Sequence, residues 1–132
     1  MPKSPKLTWL ESPTEHDYPS AASYLNLITT ATRITALTDA LREASTVQQH
    51  VKDILRAARL PLLPADDPEV AKDLRRVAKG TALSPILLVR GDLTTGVPLQ
   101  IADGYHRVCA SYHLNEDTEI PCRIADRVAV AE

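Results

Sequence analysis

The spacing of apolar residues changes its period once along this 132-residue chain, and that change constrains the fold more than any other feature. Up to about Lys79 apolar side chains recur at the spacing of one helix face. From Ile86 onward they form short runs or alternate, as strands do. The expected class is α+β: a helical N-terminal half packed on a small mixed sheet, ending in a strand-helix-strand unit. One domain is expected over 1–132, with a helical section at 1–59 and a sheet-bearing section at 60–126.

Ser12-Pro13-Thr14-Glu15 fits a capping box with proline at the first helical position, but His16-Asp17-Tyr18-Pro19 interrupts it. A second start is expected at Pro19 or Ser20, followed by Ala21, Tyr24, Leu25 and Ile28 at helical spacing. The next helix, about 33–44, places Ile34, Leu37, Leu41 and Ala44 on one side. Ser45 or Thr46 is expected to cap a third, with a buried stripe of Val47, Val51, Ile54, Leu55 and Ala58. The prolines of 60–64 predict an extended connection or a short edge strand. Asp66-Asp67-Pro68-Glu69 is the strongest helix start: an Asp cap, proline next, acid in the first turn. That helix runs to about Lys79, closed by Gly80, with Val70, Leu74, Val77 and Ala78 inward and Lys72, Arg75, Arg76 and Lys79 outward.

Ile86 to Val89 is a continuous apolar run, as in a buried strand, and Val97, Leu99 and Ile101 alternate after a loop of hairpin length. A helix then carries Val108, Cys109, Tyr112 and His113 to Leu114, and Ile120, Cys122 and Ile124 alternate again. Strand, helix and strand in this order predict a parallel crossover, whose ligand crevice lies beyond the strand's carboxyl end.

With no Phe and one Trp, the core must come from Leu, Ile, Val and Ala; Trp9 and Tyr18 read as anchors of the N-terminal section. A net charge of −2 opposes a general nucleic-acid coat protein. Residues 1–10 hold no apolar targeting core and no run has membrane-spanning length, so a cytoplasmic protein without a membrane partner is expected. Cys109 and Cys122 lack metal-site spacing and read as reduced, packed thiols, though sequence leaves a helix–strand disulfide open.

The chemistry concentrates where the strand at 97–102 meets Asp103-Gly104-Tyr105-His106-Arg107. A glycine there lets the backbone turn tightly and approach a ligand. The first amides of the following helix point outward at the positive end of its dipole. His106 and Arg107 stand in the first turn, able to close over an anion; the bland alternative is a surface arginine and a packing histidine.

The stretch from Leu60 to Ala125 resembles the ParB/sulfiredoxin-like superfamily. The likeness lies in the order of elements, the Pro85-Ile86 strand start, the Gly-x-His-Arg turn and the Ile120-Pro121 strand. Sulfiredoxins carry a Gly-Cys-His-Arg turn, partition proteins Gly-Glu-Arg-Arg, and free serine kinases an Asp-Gly-x-His-Arg type. The resemblance implies binding of nucleotide phosphates, from ATP, ADP or CTP, at Gly104, Tyr105, His106 and Arg107. Tyr105 stands where sulfiredoxin has its reactive cysteine, so sulfinic-acid repair is not expected, and Cys109, one turn on, is a poor substitute. With the chain ending soon after Ile124, the helix-turn-helix and dimerising tail of full partition proteins are expected to be missing.

Asp103 has two readings: an N-cap that competes with phosphate for the same amides, or a ligand of magnesium, which is held by few carboxylates plus substrate phosphates. Glu15, His16 and Asp17 form an acid/base cluster able to activate a hydroxyl, provided the N-terminal helices fold back over the 103–107 turn; otherwise they are a solvated helix start. Ser84 is a further phosphate contact or a plain turn residue. The basic face of Lys72, Arg75, Arg76 and Lys79 is a solvated helix side or an extension of the phosphate site. The leading expectation is a nucleotide-phosphate-binding protein, catalysing phosphoryl transfer or hydrolysis; the alternative is a non-catalytic sensing or partner-binding module. A nuclease or DNA-binding role comes last, since it follows from the family label alone. Base, acceptor and oligomeric state are left open.

Overall fold

The computed structural model describes residues 6–126; residues 1–5 of the segment read for targeting signals lie outside it. The order of elements is α1 (Asp17–Leu25), α2 (Ala31–Glu43), β1 (Val47–His50), α3 (Val51–Ala58), α4 (Pro68–Ala78), β2 (Ile86–Arg90), β3 (Gln100–Asp103), α5 (Tyr105–Leu114) and β4 (Glu119–Asp126). The strands form one sheet in the order β1-β4-β2-β3. The β1–β4 and β2–β3 pairs are antiparallel and β2–β4 is parallel. The fold is α+β, and no helix among the described residues is long and apolar enough to cross a membrane.

Helices cover both faces of the sheet. Ile86 and Leu88 join Val51, Ile54, Val70, Val108 and Cys109 under α3, α4 and α5. Leu87 and Val89 point the other way and join Tyr18, Ala21, Leu25, Leu37 and Leu41 under α1 and α2. A strand buried on both faces has no polar side to alternate with, which is why β2 reads as an unbroken apolar run. Trp9 packs partly buried against the first cluster and Tyr18 lies within the second.

Two sequence expectations are corrected. Residues 47–50 are an edge strand and not the first turn of a helix: Ala44 is extended, β1 pairs with β4, and α3 begins only at Val51. The stripe of Val51, Ile54, Leu55 and Ala58 is buried as expected, but Val47 is exposed, since an edge strand draws its order from the neighbouring ladder. Among the described residues, the N-terminal section thus contributes three helices and one strand that it lends to the C-terminal sheet. Likewise β3 and β4 are not a parallel pair. The apolar β2 takes the position between them, hairpin-paired to β3 on one side and parallel to β4 on the other.

Smaller shifts have local causes. α1 starts at Asp17, two residues before the expected Pro19, because proline is tolerated within the first turn. β3 begins at Gln100 and not at Val97, where Pro98 offers no amide to a ladder; Val97 makes only an isolated bridge to Asp92. The hairpin is tight: a Cβ at Gly91 would lie 2.3 Å from the Val97 carbonyl oxygen. α4 follows its capping signals closely, although Ala78, expected inward, is exposed: Asp67 Oδ2 accepts the amides of Glu69 and Val70, and the Thr81 amide returns to the Arg76 carbonyl beyond Gly80. Residues 60–64 form a connection that belongs to no helix or strand.

The segment ahead of α1 is clasped to the sheet. The Leu10 amide donates to Leu83 O at 2.8 Å and the Leu83 amide to Thr8 O at 2.9 Å, laying this segment beside the approach to β2. Arg123 on β4 then donates from Nη1 to the Arg42 carbonyl at 2.8 Å and from Nη2 to Ser12 Oγ at 3.2 Å. It also reaches the Leu41 carbonyl, so it occupies the unpaired acceptors at the end of α2. Arg123→Met keeps the aliphatic stem and removes every donor. Its expected cost is about 1–3 kcal/mol in urea unfolding, read as a lower midpoint at unchanged slope.

Candidate functional site

Antiparallel pairing sets Asp103, at the end of β3, across from Leu87, near the start of β2. The chain turns at Gly104, whose φ of +113° disfavours any side chain, and enters α5 immediately. No side chain caps α5. The helix begins with the amides of Tyr105, His106 and Arg107 ahead of the first intrahelical bond, from Val108 N to Gly104 O at 3.0 Å. Asp103 is therefore not an N-cap, because the glycine takes that position and turns the carboxylate away.

The Asp103 carboxylate goes to Arg107 instead, with Nη2 to Oδ2 at 2.7 Å. The guanidinium folds back over the turn: a Cβ on Gly104 would meet Arg107 Nη2 at 2.8 Å and Ile86 Cδ1 at 2.7 Å. Arg107 Nη1 donates to the Ser84 carbonyl at 2.7 Å and lies 3.8 Å from Asp17 Oδ2. With 12% of its side chain exposed, Arg107 is no surface arginine. It is a largely sequestered cation between two carboxylates and a carbonyl.

Asp17 opens α1, so the first helix does fold back over the turn. Ser84 Oγ donates to Asp17 Oδ2. The Thr14 amide donates to both, at 3.1 Å to Asp17 Oδ2 and 3.2 Å to Ser84 Oγ. A cleft of about 570 Å³ opens here, lined among others by His16, Asp17, Ser84, Asp103, Gly104, His106 and Arg107. Seven residues singled out from sequence thus meet in one place.

Two others do not bring their side chains. Glu15 points outward, with its carboxylate on Arg42 Nη1 at 2.7 Å and 82% of its side chain exposed, and it does not line the cleft. The Tyr105 hydroxyl donates to Pro61 O at 2.6 Å, leaving its main-chain amide at the mouth of α5. The Tyr105 ring stands 5.7 Å from that of His106. Cys109 and Cys122 are free and buried; burial raises both thiols, Cys122 to about 12, which suits packing and not nucleophilic attack.

The wall from α4 holds Asp73, which sequence reading missed, paired with Arg76, which it named. Asp73 on α4 is buried and bonds Arg76 at 3.0 Å, and both line the cleft. The signal was present: Asp73 falls on the inward stripe with Val70 and Val77, where a charge calls for a partner. Of the basic face, Arg76 alone among the four lines the cleft, while Lys72, Arg75 and Lys79 lie exposed along α4.

Burial raises the Asp103 carboxyl, the Arg107 charge opposes that rise, and the Asp17 charge adds to it. The net direction is upward from the ordinary 3.8. The folded state therefore holds this proton more tightly than the unfolded chain. Its contribution to stability is full below the unfolded value and is lost as pH rises through the folded one. Asp103→Asn removes that titration. Its stability relative to the parent is expected to increase from about pH 4 to neutrality, measured by urea unfolding at each pH.

Comparison of the chain with models of known protein families, with curated proteins and with solved structures finds no match.

Proposed function

We infer that this cleft binds the phosphate groups of a nucleotide and that phosphoryl transfer or hydrolysis is the reaction it favours. The observation that carries the reading is the uncapped start of α5 opening into a cleft shared by Arg107, His106, Ser84 and Asp17. The main-chain amides of Tyr105 and His106 supply donors to an oxyanion, and the helix dipole adds to them. Arg107 and His106 supply charge and hydrogen bonds from the same turn. A cleft of about 570 Å³ has the volume of an ordinary small-molecule site.

The carboxylates present an electrostatic difficulty. Asp17 and Asp103 flank Arg107, so a phosphate meets more negative than positive charge there. Asp103, with Asp17 beside it, is the group that would hold magnesium, with phosphate oxygens completing the shell. Bound there, the ion would offset both carboxylates and polarise the phosphate. The donor set fits, because magnesium needs only one or two carboxylates from the protein. Glu15, on the outer side with Arg42, is left out of the catalytic assignment.

The resemblance to the ParB/sulfiredoxin-like superfamily supports the same ligand class, namely ATP, ADP or CTP. A sensing module without turnover has one observation in its favour. Arg107 holds Asp103 and the Ser84 carbonyl with two of its five N–H donors, so a ligand that competes for those two would loosen the β3–α5 corner, a change a partner can read.

Binding is tested by calorimetry and thermal unfolding with ATP, ADP and CTP, with and without magnesium. A nucleotide at one hundred times its dissociation constant is expected to add about 2.7 kcal/mol of stability. Arg107→Lys, which keeps the charge but loses the fork, is expected to weaken binding about tenfold or more. Equal affinity with and without magnesium would remove the metal from the assignment, and saturable binding without phosphate release would favour the sensing module.

A further inference from the structure

We propose that Ser84 is a phosphoryl acceptor, taking the terminal phosphoryl group of a nucleoside triphosphate bound in the cleft, with Asp17 as its base. The proposal rests on the nucleotide reading and goes beyond it by naming where the group is transferred. The cleft is lined by the hydroxyl residues Thr14, Ser20, Thr81 and Ser84. Ser20 donates to the His16 carbonyl at 3.3 Å, within its own helix turn. Ser84 is the one of the four whose hydroxyl donates to a carboxylate, that of Asp17. A hydroxyl directed at a carboxylate acceptor is the arrangement a general base requires before nucleophilic attack.

The surroundings suit the reacting group as well as the nucleophile. Ser84 is held on both sides, by its carbonyl on Arg107 Nη1 at 2.7 Å and by the rigid ring of Pro85 after it. Its hydroxyl oxygen also accepts the Thr14 amide at 3.2 Å, a donor that stays in place once the proton has left. The guanidinium bound to the Ser84 carbonyl belongs to the first turn of α5. Nucleophile, cation and exposed helix amides therefore share one corner, as transfer through a charged transition state demands.

The step balances as follows. Ser84 Oγ forms a bond to the terminal phosphorus while the bond from that phosphorus to the bridging oxygen breaks. The leaving nucleoside diphosphate keeps the electron pair. Asp17 takes the hydroxyl proton and releases it to water. The products are a phosphoserine at position 84, a nucleoside diphosphate and one proton, and no oxidant or reductant is needed.

The test uses the full chain with magnesium and ATP or CTP, quenched in acid and weighed intact, with thermal unfolding measured on the same samples. The expected result is a mass gain of one phosphoryl group, placed on Ser84 by fragmentation. Ser84→Ala should abolish the gain, and Ser84→Thr should restore it at that position. Asp17→Asn should slow it by about 100-fold or more. Should the phosphoserine hydrolyse before the quench, phosphate release that vanishes in Ser84→Ala but not in Ser84→Thr supports the same assignment. A nucleotide-dependent melting shift without mass gain or phosphate release overturns the acceptor role and leaves the binding reading standing, as does a gain or release that survives Ser84→Ala. No melting shift with any nucleotide overturns both.

Discussion

One guanidinium closes the corner on which the site is built. Arg107 leaves the first turn of α5, folds over Gly104, and joins the end of β3 through Asp103, the approach to β2 through the Ser84 carbonyl, and the start of α1 through Asp17. Two of the three lie at the sheet, and the third opens a helix on the face opposite α5. A pair this sequestered adds little net stability, because desolvation offsets attraction, yet leaving one member alone costs about 3–5 kcal/mol. The arrangement is better understood as specifying geometry than as strengthening the fold. It also sets a conflict, since the group best suited to meet a phosphate is already engaged.

The three-layer plan explains why such a corner exists. β2 is covered on both faces and flanked on both edges, so the polar ends of the sheet are where main-chain groups and charged side chains can reach solvent. At one end the β2–β3 hairpin loop turns tightly at Gly91. At the other, β3 runs into α5 beside the segment that leads into β2, and α1 lies across them.

Much of this was legible where a local rule acts alone. α4 announces itself through Asp67, Pro68 and Gly80, and β2 through its apolar run, because each signal is satisfied within its own turn or strand. β1 was not legible: Val47, Gln48, Gln49 and His50 are all exposed, so no burial pattern marks them, and only the neighbouring β4 makes them a strand. The neighbour of β4 was hidden for a related reason, since alternation tells which face a residue takes but not which strand lies beside it. Within the site, the residue types were visible and their pairings were not. Nothing local separates Glu15, which finds Arg42, from Asp17, which finds Ser84. Asp103 had an equally good local claim on the helix amides; the left-handed turn at Gly104 decided against it.

Two arginines hold the ends of the strip of chain between Ser12 and Asp17, Arg123 at one and Arg107 at the other, and a third, Arg42, holds Glu15 between them. That strip is also a wall of the cleft. To swing it outward, these grips must let go together with the Thr14 contacts between them. The cavity is therefore a mould cast with the fold and not a jaw that shuts on its guest. A molecule entering it is sorted by shape and charge on arrival, and little ordering cost is left to be met at that moment.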